Sequence, residues 1–164
     1  MTGKRKKAES SADRTLTTSQ IGRCGELLVQ LLLLMRGIES APMTTDSGVD
    51  LVAYSSESAK PATIQVKTNL RPKPGGGKGK KGLDWWIDEK CPAQLVALVD
   101  IESQRVWLFT IEEMATNSQQ HSGGRHHLYM YTDPTAQPKK IDRRVHDHQF
   151  AGFLIENRAH ELFA

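Results

Sequence analysis

The chain contains few of the residues that characterise secreted, membrane-spanning or zinc-cluster proteins. It has only two cysteines, Cys24 and Cys91, without Cys-x-x-Cys spacing, so we expect reduced thiols rather than disulfides or a zinc site. Its most apolar run, residues 27–35, is much shorter than the ~20 residues that cross a bilayer. No apolar segment of the secretory-signal kind follows the basic start. We therefore expect a cytoplasmic protein that makes no membrane contact.

Neither sign of charge dominates the composition. Lys and Arg number 22 against 19 Asp and Glu, a net charge of +3, which indicates only a mild attraction to polyanions. The 164 residues, 38% of them hydrophobic, can form one globular core. Residues 1–17 are rich in Lys, Ser and Thr and have no apolar period, which predicts a disordered basic arm. We expect a single domain over residues 18–164.

The first predicted element is a helix. Apolar residues recur at helical spacing from Ile21 to Met35, after a potential N-cap at Thr18 or Ser19, and Gly37 ends the pattern. Further leucines make this segment apolar almost all round, so we expect the helix to be covered on more than one side.

Short apolar or β-branched segments separated by turn-like gaps predict the strands. The first three, residues 38–43, 49–54 and 62–67, predict an antiparallel meander. The order of helices and strands is typical of a mixed α/β fold. The remaining predicted elements are a short helix at 84–90, strands at 94–100, 105–110 and 127–131, a helical turn at 111–115 and a last helix at about 145–163.

Residues 71–82 consist mainly of Gly, Pro and Lys, a composition that predicts a mobile basic loop without regular structure. Its lysines can bind DNA phosphates in a salt-sensitive manner, or they can simply be solvated. The predicted DNA-binding residues of this loop are Lys73, Lys78, Lys80 and Lys81.

Three polar side chains of the meander can converge. Strand alternation puts Gln65 and Lys67 on one face of a strand, and Asp50 enters the neighbouring strand. Hydrolysis of a phosphodiester calls for a divalent cation and a group that positions water. Mg²⁺ takes oxygen ligands, commonly one or two carboxylates with water and substrate phosphate. The three side chains therefore form a candidate nuclease site.

The motifs occur in the order Gly22-x-x-Gly25-Glu26, Gly48-Val49-Asp50 and Ile64-Gln65-Val66-Lys67. This order resembles the PD-(D/E)XK nuclease superfamily. It is most similar to the branch with Gln in place of the second acid, which includes Mrr-like restriction enzymes and small bacterial and intron-encoded endonucleases. The resemblance covers residues 18 to about 110. It implies a restriction-endonuclease-like core, a central mixed sheet of about five strands flanked by helices.

The resemblance also implies roles for individual residues. Asp50 would be the shared metal ligand, the Gln65 amide oxygen the second and the Val66 carbonyl a third. Lys67 would orient or help to deprotonate the attacking water, and Glu26 would support a metal or its water. The implied cofactor is Mg²⁺, with Mn²⁺ able to substitute. Because an amide is a weaker ligand than a carboxylate, Gln65 leaves the site with less charge to hold the metal.

Several residues allow two interpretations. Glu26 is equally compatible with a solvated residue near the start of its helix. Trp85 and Trp86 suggest base stacking, but we expect at least one of them in the core. The six histidines lack the spacing of a zinc site, so we assign them no metal. They can still face phosphates together with Arg143 and Arg144; the histidines are His121, His126, His127, His146, His148 and His160.

Three functions compete. The first is a metal-dependent endonuclease that hydrolyses phosphodiester bonds in DNA. The second is a catalytically degenerate nucleic-acid-binding module of the same fold. The amide of Gln65 in place of an acid favours this alternative. The third is a structural or protein-interaction domain in which these residues are incidental. Because one small site cuts one strand, an endonuclease would be expected to form a homodimer or a higher homo-oligomer.

Overall fold

The computed structural model describes residues 15–45, 47–138 and 142–164. The predicted basic arm falls outside these ranges up to residue 14. No helix in the described ranges is long and apolar enough to cross a membrane. The elements are α1 (Thr18–Leu34), β1 (Ile38–Pro42), β2 (Leu51–Ser55), β3 (Pro61–Asn69), β4 (Lys73–Pro74), a 3-10 turn (Gly75–Gly77), β5 (Lys81–Asp88), β6 (Leu95–Asp100), β7 (Arg105–Thr110), α2 (Ile111–Asn117), β8 (Gln120–Ser122), β9 (Arg125–Tyr131), a 3-10 helix (Asp147–Phe153) and α3 (Ile155–Phe163).

A five-stranded mixed sheet forms the centre of the fold, with the strand order β1-β2-β3-β6-β7. The first three strands pair antiparallel, which confirms the predicted meander. Strand β3 then pairs in parallel with β6, and β6 pairs antiparallel with β7. All six residues of β6 are buried, as expected for a strand covered on both faces.

Each face of the central sheet has its own apolar core. On one face, α1 and α3 contribute Val29, Leu33, Ile155 and Ala159. The other face is covered by a second, antiparallel sheet with the order β4-β5-β9-β8. The side chains of β6 and β7 alternate between the two cores because successive residues of a strand point to opposite faces. The result is one helical layer and two sheet layers.

Helix α1 begins one residue earlier than predicted, with Thr17 as its N-cap in a capping box with Gln20. It buries one face only. The expectation that it would be covered on more than one side is wrong, because a helix lying on a flat sheet turns its other faces to solvent. Its exposed apolar side chains are Leu27 (51%), Leu31 (54%), Leu34 (61%) and Met35 (71%).

Two predictions between residues 71 and 90 are wrong. The predicted helix at 84–90 is the strand β5, in which Leu83, Trp85 and Ile87 are buried at the period of two that strands require. The predicted unstructured loop contains β4 and a 3-10 turn, and Lys73 pairs with Gly82. Pairing with the distant strand β9 decides the segment 84–90, whereas β4 forms a short hairpin with the start of β5.

The predicted last helix is two helices. Phe150, in the 3-10 helix Asp147–Phe153, packs into the core beneath the second sheet. Leu154 is extended and forms an isolated bridge with Trp107 at the edge strand β7. Helix α3 then packs on the opposite face of the central sheet. The helical pattern is interrupted because the chain passes around the edge of that sheet.

Candidate active site

Asp50 lies at the entrance to β2 and is tied to β3 by two hydrogen bonds. Its carboxylate Oδ2 accepts from the main-chain amide of Val66 at 2.6 Å. Its own amide donates to the Ile64 carbonyl at 2.9 Å. The pairing of β2 with β3 ends at Leu51 and Ile64, and Asp50 lies just beyond it. The two hydrogen bonds hold Asp50 beside residues 64–66 of β3, of which Gln65 is the middle one.

Gln65 and Lys67 point away from the helical layer. Ile64 and Val66 contribute to the core beneath α1 and α3, and the alternation of β3 turns Gln65 and Lys67 to the other face. This confirms the predicted arrangement of the two side chains on one face. Both side chains are partly buried.

Cys91 is an unexpected neighbour of this group. It follows β5, and its Sγ donates a hydrogen bond to Gln65 Oε1 at 3.3 Å. Sequence reasoning assigned it no chemical role, and no local signal predicts the contact, since 26 residues separate the two positions. The thiol is placed here by the packing of the second sheet on the first.

The electrostatics of Cys91 reflect its charged neighbours. Burial raises the pKa of the thiol above its ordinary value of 9.0. The charge of Lys67 acts in the opposite direction, whereas the charge of Asp50 adds to the increase of the pKa. The side chains of Asp50, Gln65 and Lys67 therefore all act on one thiol, which stays protonated at neutral pH.

Gly48 allows the chain to pass close to Pro92 and Gln65. Its φ of +79° lies in the left-handed region that favours glycine. A Cβ at this position would lie 3.0 Å from Cδ of Pro92 and 4.0 Å from Nε2 of Gln65. The backbone conformation and the nearby Pro92 thus explain why a glycine occupies position 48, which the sequence motif alone does not.

Glu26 lies on the helix that covers the opposite face of β3. The preceding residue, Gly25, is in direct contact with Thr68, whose side chain points towards α1. Glu26 forms an ion pair with Arg23, with 2.6 Å between Oε2 and Nη1. Its proposed role beside a metal stays a prediction, and the ion pair agrees with the alternative of a partly solvated acid.

The oxygens of Asp50, Gln65 and the Val66 carbonyl are the hard donors that Mg²⁺ prefers. Within the described ranges, no group of three or more His, Cys, Asp and Glu side chains is placed to hold a metal ion. A metal at this site would therefore depend on amide and main-chain oxygens. The donor set fits a weakly held Mg²⁺ whose shell is completed by water and substrate.

The predicted DNA-binding lysines lie around the second sheet rather than beside Asp50. Lys73 forms part of β4, Lys81 begins β5, and Lys78 is exposed after the 3-10 turn. Lys80 donates to Thr135 Oγ1 at 2.8 Å and lies 3.4 Å from an Asp133 carboxylate oxygen. These contacts hold the basic segment against the loop after β9.

The two neighbouring tryptophans have different environments. Trp85 is buried at 3% exposure, as we expected for at least one of the pair. Trp86 is partly exposed and stacks on His127, with 4.0 Å between ring centroids.

The two arginines that we considered for phosphate contacts form hydrogen bonds with groups of the chain itself. Arg143 donates to the Ser118 carbonyl, and Arg144 donates to Asn117 Oδ1.

No protein-family model matches this chain, and no curated protein matches it. Among solved structures, a bacterial homing endonuclease, I-Ssp6803I, is similar, with a TM-score of 0.56 and 15% sequence identity. The similarity covers 89% of this chain and 91% of that chain. At such low identity it concerns the fold alone. The chain therefore has an α/β, restriction-endonuclease-like fold with a five-stranded mixed sheet, which it shares with a homing endonuclease.

Proposed function

We propose that the protein is a metal-dependent endonuclease that hydrolyses phosphodiester bonds in DNA. The observation that carries this proposal is the hydrogen bond from the Val66 amide to the Asp50 carboxylate, which fixes Asp50 against the strand that carries Gln65 and Lys67. The fold shared with a homing endonuclease supports the same reaction and the same kind of substrate.

Asp50, Lys67 and Gln65 would each have a different role in the reaction. A bound Mg²⁺, or Mn²⁺ in its place, would offset phosphate charge and acidify a water molecule. Asp50 supplies the negative charge of the site, and its bond to the main chain fixes its orientation. Lys67 Nζ is a cation that can orient water and stabilise charge developing on the phosphate oxygens. Gln65 offers a neutral oxygen, whose orientation the Cys91 thiol helps to hold.

The nuclease proposal is tested with supercoiled plasmid and single-stranded DNA in Mg²⁺, Mn²⁺ or EDTA. We expect metal-dependent nicking by the wild type and its loss in Asp50→Ala. Glu102→Ala removes an exposed acid from the turn between β6 and β7 and serves as the matched control, which should nick normally. If Asp50→Ala nicks as fast as the wild type, the proposed site is wrong.

A second candidate is a nucleic-acid-binding module that has lost catalysis. Gln65 favours it, because the site then holds only one carboxylate among its candidate ligands and binds a divalent cation less strongly. This candidate requires salt-dependent DNA binding in EDTA, no cleavage in either metal, and equal binding by the wild type and Asp50→Ala.

We propose that the nuclease acts as a homodimer or a higher homo-oligomer. One site per chain cuts one strand at a time, and cutting both strands of a duplex calls for two sites related by symmetry. Light scattering after size-exclusion chromatography measures the mass directly. A monomeric mass at the concentrations that give double-strand cleavage would contradict the proposal.

A further inference from the structure

The outer face of the second sheet carries aromatic side chains. Leu83, Trp85 and Ile87 of β5 point inward, and Leu128 and Met130 of β9 do the same. Alternation therefore turns the intervening residues away from the core. The outward-facing aromatic residues of these two strands are Trp86, His127, Tyr129 and Tyr131.

These rings form a continuous row. Trp86 and His127 are stacked, with centroids 4.0 Å apart and an interplanar angle of 3°. The centroid of His127 lies 5.7 Å from that of Tyr129, which in turn lies 5.5 Å from that of Tyr131. His146 continues the row at 6.0 Å from Tyr131. All five residues are partly exposed, so parts of the rings remain accessible from solvent.

The row borders a groove. A depression of about 400 Å³ is lined by Tyr129, Tyr131 and Gln120, among others. A second depression of about 520 Å³ is lined by the same three residues. The first volume lies within the range of roughly 300–1,000 Å³ that is usual for pockets binding ring-sized ligands. Two depressions that share their central tyrosines suit a ligand with several rings in succession.

Cations stand at the margins of this groove. Lys73 and Lys80 line the first depression. At the other end of the aromatic row, the guanidinium of Arg125 lies 5.1 Å from the centroid of the Trp86 ring. Rings in the centre with cations on both sides match a polyanion that carries flat apolar groups.

Hydrogen-bonding groups also face the groove. The Asp84 carboxylate accepts a hydrogen bond from His127 Nε2 at 3.2 Å, and Nε2 therefore carries a hydrogen. This hydrogen bond lowers the pKa of Asp84, which keeps the carboxylate ionised. Burial and the neighbouring Tyr131 raise the pKa of Tyr129, so its hydroxyl stays protonated and can donate. Both types of group recognise the edges of nucleobases.

We propose that this groove binds unpaired bases of a DNA strand, which stack on Tyr129 and Tyr131 while Lys73 and Lys80 contact the phosphates. In a duplex, neighbouring base pairs cover the faces of each base, so aromatic side chains can stack only on bases that are unpaired or flipped out. The inference rests on the proposed function for the choice of DNA as the polymer. It adds that the substrate contains, or is opened to give, a single-stranded segment.

The test measures binding of the full chain in EDTA, where cleavage does not occur. Fluorescence anisotropy compares a labelled oligothymidylate with a strand of equal length whose central bases are replaced by abasic sites. The two strands carry the same phosphates and differ only in the bases. We expect the abasic strand to bind about 5- to 150-fold more weakly for each stacked base that is lost. A fully paired duplex of equal length should also bind more weakly than the single strand.

Variants locate the binding surface. Tyr131→Leu and Tyr129→Leu should each weaken binding of oligothymidylate while leaving the abasic strand unaffected, whereas Tyr131→Phe should bind normally. Tyr54→Leu removes a tyrosine from β2 that is 44% exposed and serves as the matched control. Thermal unfolding of each variant identifies any that fails to fold, and the two strands can be compared in the wild type without any substitution.

Two results would overturn the proposal. One is equal affinity of the wild type for the normal and the abasic strand, which would indicate phosphate contacts alone. The other is unchanged binding by folded Tyr131→Leu and Tyr129→Leu. Binding is measured in EDTA and cleavage in Mg²⁺ or Mn²⁺, so a failure to cleave DNA and a failure to stack bases are separate outcomes.

Discussion

The carboxylate of Asp50 accepts a hydrogen bond from the main-chain amide of Val66, with 2.6 Å between Oδ2 and N. This bond links the first residue of the candidate site to the strand that carries Gln65 and Lys67. Asp50 consequently has two roles that substitutions can separate, as a fixed charge and as a hydrogen-bond acceptor between two strands.

Asp50→Asn should abolish cleavage while preserving most of the stability, because the amide oxygen can still accept from Val66. Asp50→Ala loses the acceptor as well and should lower the free energy of unfolding by about 1–3 kcal/mol. Urea unfolding and plasmid nicking measure the two effects. Wild-type nicking by Asp50→Asn would show that the charge is not required.

Gln65→Glu should reduce the metal concentration needed for half-maximal cleavage at least severalfold. The substitution adds a carboxylate next to Val66, which binds Asp50, and Mg²⁺ is held mainly by such groups. Titration of nicking activity with MgCl₂ gives this concentration for both proteins. An unchanged value would mean that the side chain at position 65 does not contact the metal.

Lys67→Gln should reduce the rate of cleavage at saturating metal by roughly 100- to 1,000-fold, the usual effect of removing a group that stabilises developing charge. Binding of DNA in EDTA should change little, because one cation among many contributes little to affinity. Lys60→Gln removes an exposed lysine just before the same strand and is the matched control. A loss of binding equal to the loss of rate would assign Lys67 to DNA binding instead.

Gly25→Ala should destabilise the protein by about 1–3 kcal/mol, as overpacking usually does. A Cβ at this position would overlap Oγ1 of Thr68. Gly22→Ala, on the same helix, meets nothing within 4 Å and should stabilise the helix by up to about 1 kcal/mol. Urea unfolding of both variants checks the opposite signs. Equal effects would contradict the close packing of α1 on β3.

Cys91 should react slowly with iodoacetamide at pH 8, since only the thiolate is the nucleophile. Its pKa is raised above 9.0 by burial, so the rate should still increase with pH where a free thiol has levelled off. Mass spectrometry of the Cys24→Ser variant follows this single thiol. A profile that matches a model peptide would contradict the buried position beside Gln65.

The sequence alone determined the features that depend on neighbouring residues. The three short strands from Ile38 to Asn69 follow from their apolar patterns and turns, and the alternation within β3 places Gln65 and Lys67 on one face. The order of motifs that ends with Lys67 was sufficient to suggest the fold.

Only the tertiary structure decided what depends on distant pairings. The segment at 84–90 is a strand because β9, about forty residues away, pairs with it. Cys91 meets Gln65 because the second sheet packs on the first. Trp86 and Tyr129 share an aromatic row because β5 pairs with β9. Local sequence patterns do not predict such contacts, because the contacts form only when strands that are far apart in the sequence come together.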